Sequence, residues 1–395
     1  MMKQIKSLYF VLCLMACVCS LSGCIEEYEA DISEEDSDLL VVEGTIYSLH
    51  WNTFILSRTQ ALNSSYSRQM VRGAKVSVRG SDGSEYKTQS NDGFYFCWID
   101  ALAPDAEYYL HIEADGEVYE SEPQKPLRTE KIADVRGVQN TPESHIDVLV
   151  TPDPPFESGK TNYYAWTYDE TWEVHADYTT TIYFDTSIMK PVFKANQFPE
   201  RGWKDAAGTT STVGASLSYE GQHIRRLKMY ELDRSDERVF YRYSGLVHQR
   251  AITKAEYEYE LARHQAGSEM GGLFTPLPSA LPTNIRCLTS QKHVIGYVGC
   301  SLNTTDYRFF LNPEDFTIYI PPRKDERTIF ENTSDADCRQ MVREGKYLCE
   351  WEDKRMEPNG KLRTAWATEI QLDVRYKSAY IEEPDFWSLT ENVSY

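Results

Sequence analysis

The chain has 395 residues and carries 61 Asp and Glu against 41 Lys and Arg, a formal charge of −20. Such a balance excludes a nucleic-acid partner, whose phosphates demand a basic surface. The length suits two domains, and aromatics are plentiful, with 27 Tyr and 8 Trp.

The N-terminus opens with Lys3 and Lys6, followed by an apolar stretch over residues 8–21. A bilayer-spanning helix needs roughly 20 apolar residues, so this stretch has the form of a signal peptide instead. Leu21-Ser22-Gly23-Cys24 ends it as a lipobox, with a large apolar residue at −3 and two small ones before the cysteine. The rival, Leu14-Met15-Ala16-Cys17, places the bulky Met15 where the peptidase groove admits only small side chains. Lipidation is therefore expected on Cys24, with residues 1–23 removed and the membrane as a first partner. A diacyl anchor supplies the chains that one acyl group alone cannot. Residues 24–38 are acidic without Lys or Arg, which makes a solvated, self-repelling tether. Acidic residues just after the lipidated cysteine also resemble the surface-export signal of Bacteroidota lipoproteins. The expected location is the outer membrane, facing the exterior.

From residue 39 the pattern is that of short strands. Leu39-Leu40-Val41-Val42-Glu43-Gly44 opens the series, residues 51–56 pair with it, and residues 74–79 alternate at period two. Asp92-Gly93 and Asp115-Gly116 punctuate the run as tight turns, because both residues tolerate positive φ. This predicts an immunoglobulin-like or carboxypeptidase-regulatory-like β-sandwich over residues 39–128. Pro123-Gln124-Lys125-Pro126 reads as a stiff linker. Residues 129–395 are expected to form a larger β-rich domain. Its longest strand is predicted at 163–174, with 179–184 as hairpin partner, and 187–214 reads as a polar loop. One clear helix is predicted at 253–265, opened by a capping box of Thr253 and Glu256. The fold class is mostly β.

Catalytic motifs are weak. Glu157-Ser158-Gly159-Lys160-Thr161 imitates the end of a P-loop, but Pro154 stands where a glycine must cradle phosphate. Ser84-Glu85-Tyr86-Lys87 lies in a hairpin strand, where a single helical turn cannot bring Lys to Ser. The eight histidines are scattered without metal-ligand spacing, and the Asp-Gly pairs lack a calcium loop's alternating oxygens. The expectation is a protein that is not an enzyme, with no cofactor and no metal. Two local disulfides, Cys287–Cys300 and Cys338–Cys349, are expected with Cys97 left over; free buried thiols are the alternative. Trp166 and Trp172 share one strand face, as either core or aromatic surface. Trp203, in the polar loop, is the candidate for an exposed ligand contact.

The lipobox, the opening strand through Gly44, the helix with Tyr257, Gly272-Leu273-Phe274-Thr275-Pro276, Asn284-Ile285 and Gly296-Tyr297 together resemble a Bacteroidota lipoprotein family called domain of unknown function 4249. That resemblance carries no catalytic residues across. Its members are similar in setting to accessory lipoproteins of TonB-dependent transporters. It implies, by association, a binding or accessory subunit beside such a transporter; exposed aromatics suggest a glycan or peptide as the ligand. A surface hydrolase and an envelope-structural or adhesion protein are the alternatives.

Overall fold

The computed structural model describes residues 38–59, 69–157, 159–209, 211–268 and 281–394. The signal peptide, Cys24, nearly all of the acidic tether and the 271–279 stretch lie outside the described residues. The first unit is built from β1 (Leu40–Tyr47), β2 (His50–Arg58), β3 (Gln69–Met70), β4 (Lys75–Gly80), β5 (Glu85–Lys87), β6 (Gln89–Asn91), β7 (Phe94–Ile99), β8 (Tyr108–Ala114) and β9 (Glu117–Ser121). Alternation decides which side chains enter its core: Val76 and Val78 from β4, and Tyr108, Leu110 and Ile112 from β8. Both Asp-Gly turns take positive φ at each residue, 50° and 85° at Asp92-Gly93, 52° and 79° at Asp115-Gly116. That twist matches the flanking strands.

The second unit continues with β10 (Ile132–Val138), β11 (Ile146–Pro152), β12 (Tyr163–His175), β13 (Ile182–Asp185), β14 (Lys190–Phe193), β15 (Arg201–Ala207), β16 (Thr212–Ala215), β17 (Leu227–Leu232) and β18 (Tyr243–Ile252). Then come helix α1 (Lys254–Ser268), β19 (Ile285–Cys287), β20 (Val294–Ser301), β21 (Thr305–Leu311), β22 (Thr328–Phe330), α2 (Asp335–Arg343), β23 (Tyr347–Asp353), β24 (Leu362–Ala367) and β25 (Val393–Ser394).

The architecture is mostly β, with three packed bodies. In the first, the sheet β20-β1-β2-β7-β6, with β3 beside β2, faces the sheet β19-β9-β8-β4-β5. In the second, β15-β12-β18-β21-β25, with β16 also on β12, faces β10-β11-β17 over a core that includes Trp166, Tyr243 and Phe309. The third is the small sheet β22-β24-β23, on which α2 and the β13–β14 hairpin enclose Phe184, Cys338, Met341, Leu348 and Trp366.

Several expectations are corrected. The first sandwich is not made from residues 39–128 alone, because β19 and β20 belong to its two sheets. β20 runs parallel to β1 from Leu40↔Val294 to Tyr47↔Ser301, and Val294, Val298 and Cys300 enter the sandwich core. Gly296 makes the pairing possible: at φ +133°, a Cβ there would stand 2.1 Å from the Val42 carbonyl oxygen. The proline stretch is no free spacer, since Gln124 exchanges both backbone hydrogen bonds with Tyr108 at 2.9 Å. The 187–214 segment is not a loop. It supplies β14, β15 and β16, with β15 and β16 dividing one edge of β12 while β18 takes the other. β13 pairs with β14, not with β12. Trp166 and Trp172 are core residues.

The expected disulfides are absent, and all five described cysteines are free. Cys287 and Cys300 sit on opposite sheets of the sandwich. Cys338 turns from α2 into the small core, while Cys349 lies at the register shift between Leu348 and Glu350.

Candidate functional site

Two of the chain's crossings between the first and second units, at 127–129 and 301–303, run side by side. Leu127 N–H donates to Cys300 O at 3.1 Å and Leu302 N–H to Leu127 O at 2.8 Å. Asn303 Oδ1 accepts from Thr129 N–H at 3.0 Å, and its Nδ2 donates to Thr129 O at 3.1 Å. Beside this clamp, the end of β1, the strands β12, β16 and β18, and helix α1 enclose a cavity of about 190 Å³. Tyr47 comes from the first unit, Thr167, His248 and Arg250 from the sheet, Ser211 from the turn before β16, and Glu260 and Arg263 from the helix.

Local sequence explains the placement. Thr253 Oγ1 accepts the Glu256 N–H at 3.1 Å and starts the helix. Glu256, Glu260 and Arg263 then recur at i, i+4 and i+7, which sets them on one helix face. The outer part of that helix packs through Tyr257 on Tyr163 and Tyr259 on Tyr297. Glu256 does not reach back to close the expected capping box. It is buried and meets Arg250 Nη2 at 2.7 Å. Gly299 leaves room for this pair, since a Cβ there would lie 2.6 Å from both carboxylate oxygens. Burial opposes the Arg250 charge, but the neighbouring Glu256 outweighs it and raises the guanidinium pKa. The buried Nη1 of Arg250 has no hydrogen-bond partner.

Arg263 holds Glu260 through Nε at 2.9 Å and Nη2 at 2.6 Å, and Nη2 also donates to Ser211 Oγ at 3.1 Å. Ser211 Oγ lies 3.0 Å from His264 Nε2. Burial, then the Arg263 charge, lowers the His264 pKa and favours the neutral ring. Glu260 lies 3.9 Å from the same Nε2, on the serine side of the ring and not behind it. His248 stands on the cavity wall between Asp306, 2.8 Å from Nδ1, and Asp169, 3.2 Å from Nε2. Burial works against its charge, yet the two carboxylates prevail and raise its pKa. When the ring is protonated, both its nitrogens donate, to Asp306 and to Asp169.

Every charge around the cavity thus has an opposite charge beside it. A cavity of this size falls below the usual range for drug-sized ligands. It suits a small polar molecule or one unit of a longer chain, received by hydroxyl and guanidinium groups over a short apolar floor of Ala165 and Val213.

The residues singled out in the sequence lie elsewhere. Trp203 is not an exposed loop residue but is 4% exposed on β15, packed against Trp387 and beneath the Arg201 guanidinium. The cysteines line no part of the cavity. The His248/Arg250 alternation and the Glu256/Glu260/Arg263 spacing were the available signals, and both look like ordinary solvated charge until the sheet and helix are set together.

The sequence profile of a family described as a domain of unknown function, DUF4249, matches residues 25–306. The chain belongs to the DUF4249 family. No curated protein matches it. Among solved structures, a two-domain fibronectin type III segment of chicken tenascin is 13% identical over 54% of this chain and 91% of its own, with a TM-score of 0.14. A DUF4785 family protein from Legionella pneumophila is 10% identical over 53% of this chain and 52% of its own, with a TM-score of 0.15. Scores this low carry no argument, and the immunoglobulin-like description rests on the sheets of this DUF4249 protein itself.

Proposed function

We propose that this DUF4249 protein is a non-enzymatic, lipid-anchored outer-membrane protein that binds a polar ligand as an accessory subunit of a TonB-dependent uptake system. The observation that carries the reading is the junction cavity, whose charges are mutually paired. Paired groups hold and orient a polar molecule, whereas a catalytic acid, base or nucleophile needs a perturbed group left available to react. The Leu21-Ser22-Gly23-Cys24 sequence and the acidic residues after it support the anchor and the outward placement. Mild-detergent purification of the lipidated protein from native membranes, read by mass spectrometry, tests the association. A stoichiometric TonB-dependent barrel is expected. Recovery of the protein alone overturns the accessory role.

A second reading, a surface hydrolase acting on glycan or peptide, draws on the Ser211–His264 hydrogen bond, the geometry of a nucleophile and its base. Its test is turnover on ester, peptide and glycan panels. Activity lost in Ser211→Ala with an unchanged melting temperature would establish it, and no turnover in the wild type would end it.

A further inference from the structure

A second cavity, of about 280 Å³, lies well away from α1, between the β13–β14 hairpin and the small sheet carrying α2. Val342, Lys346, Tyr347, Leu348 and Trp366 of its wall lie beyond the 25–306 segment that the family profile spans. One side is aromatic. Trp366 and Phe184 meet edge to face at 5.8 Å, Phe198 props Tyr347 in the same way at 4.7 Å, and Tyr183 stands half-exposed at the mouth.

Two lysines line the cavity beside these rings. Lys194 follows β14 with its Nζ 5.9 Å from the Tyr183 ring centre, and among the described residues it has no carboxylate partner. Lys346 follows α2, where the last carbonyls of a helix favour a cation. Its Nζ donates to Thr328 Oγ1 at 2.6 Å, and its nearest carboxylate, Glu344, is 3.7 Å away, outside hydrogen-bond reach. An ammonium group has three donors, so both lysines retain donors that the protein does not occupy. In a chain of charge −20, two lysines with open donors lining one cavity complement an anion.

The anion's class follows from the walls. No arginine and no helix N-terminus line the cavity, so the planar fork and the amide nest that favour phosphate are missing. A lysine serves a single carboxylate and its neighbouring hydroxyls as a point charge, and flat aromatic rings pack against the C–H face of a pyranose. We propose that this cavity binds an acidic sugar, a pyranose bearing a carboxylate, with its ring on Tyr183 and Tyr347, backed by the buried Trp366, and its carboxylate on Lys194 and Lys346. The proposal does not rest on the transporter association or on the junction cavity.

The test is titration calorimetry on the detergent-solubilised full chain with D-galacturonic acid, its trimer, D-galactose, benzoate and inorganic phosphate. Galacturonic acid should bind saturably, and galactose, which lacks the carboxylate, about tenfold or more weakly, the worth of a charge-assisted hydrogen bond. Tighter binding of the trimer than of the monomer assigns the ligand to a polymer, and equal binding assigns it to a free sugar acid; both support the site. Lys194→Gln and Lys346→Gln should each weaken galacturonate about tenfold while leaving galactose unchanged. Lys194, on the exposed hairpin, can be replaced without touching the core, which keeps the result separable from misfolding. Equal affinity for galactose and galacturonate, tighter binding of benzoate or phosphate, no saturable binding, or unchanged affinity in both lysine variants overturns the proposal.

Discussion

The buried Arg250–Glu256 pair decides whether α1 docks on the junction, and it can be perturbed from either side. Glu256→Gln keeps the side chain's shape but leaves the Arg250 guanidinium enclosed without its counter-charge, while its Nη1 already lacks a partner. Removing one member of a buried pair costs about 3–5 kcal/mol. At about 2–4 °C per kcal/mol for a body of this size, the affected calorimetric transition should fall by roughly 6–20 °C. Arg250→Met should cost a similar amount, because it strands a buried carboxylate. The double variant Arg250→Met/Glu256→Met should recover most of the loss, since matched apolar replacements of a buried pair are about neutral. Gly299→Ala attacks the same pair sterically, 2.6 Å from both carboxylate oxygens, and should behave like Glu256→Gln. Differential scanning calorimetry of these variants and of the Glu256→Met single provides the cycle. Single variants that each shift the transition by less than about 2 °C, or a double variant as damaged as the sum of its singles, would refute the argument that the pair is coupled and desolvated.

Other predictions concern the remaining titratable and buried groups. His248 has a pKa above its ordinary value of 6.5, so its stabilising contribution is full below about that pH and is lost as pH rises through the folded value. Denaturation midpoints from pH 6 to 9 should therefore fall in the wild type along a slope that His248→Asn removes. Cys287 has a thiol pKa lowered by Ser290 and Thr289 against the effect of burial, whereas burial pushes Cys97, Cys338 and Cys349 up to about 11 and Cys300 up to about 12. N-ethylmaleimide at neutral pH should label Cys287 first among these, and a non-reducing peptide map showing a Cys287–Cys300 or Cys338–Cys349 crosslink would contradict the free thiols. Trp203→Ala should cost about 3–5 kcal/mol as a core truncation, seen in the melting temperature, without altering binding at either cavity. Trp203→Phe should cost less, because the indole N–H it removes is buried without a partner.

What could be read from the sequence was local. The Asp-Gly turns and the alternation of β4 and β8 are written within a few residues, so the first sandwich is recognisable from residues 39–128. The pairing of β1 with β20 joins residues more than 250 apart, and nothing in Val294-Ile295-Gly296-Tyr297-Val298 names its partner. Trp203 sits among prolines, glycines and charges that read as a loop; register with β12, Glu173↔Trp203, is what makes it core. Glu256 shows how a correct local signal can still mislead. Thr253 caps the helix as its spacing predicts, but the glutamate that should complete the box is drawn to a buried arginine six residues earlier. A local hydrogen bond worth about 1 kcal/mol cannot compete with an otherwise unpaired buried charge. The junction cavity was hidden for the same reason, since its residues come from β12, β18, α1 and the end of β1.

The same topology bears on how the junction cavity works. Because β19 and β20 return to the first sandwich, the chain passes between the units before β10, between β18 and β19, and after β20, and the first and last of these crossings are hydrogen-bonded to each other through Leu127, Thr129, Leu302 and Asn303. Within the second unit Gln249 fastens the chain just after the first crossing to the sheet, its Nε2 donating to Glu130 O at 2.7 Å while its Oε1 accepts from the Trp166 indole at 2.8 Å. A single flexible linker would let the two units swing and the cavity open or close around a ligand. Two crossings bonded to each other remove that hinge, so Tyr47 from the first unit and Arg263 from the helix line the cavity together before any ligand arrives. Affinity there then comes from preorganisation and not from closure. Cutting the clamp with Asn303→Ala should therefore weaken binding at the junction cavity more than at the Lys194–Lys346 cavity, whose walls both belong to the body built on β13, β14, α2, β23 and β24.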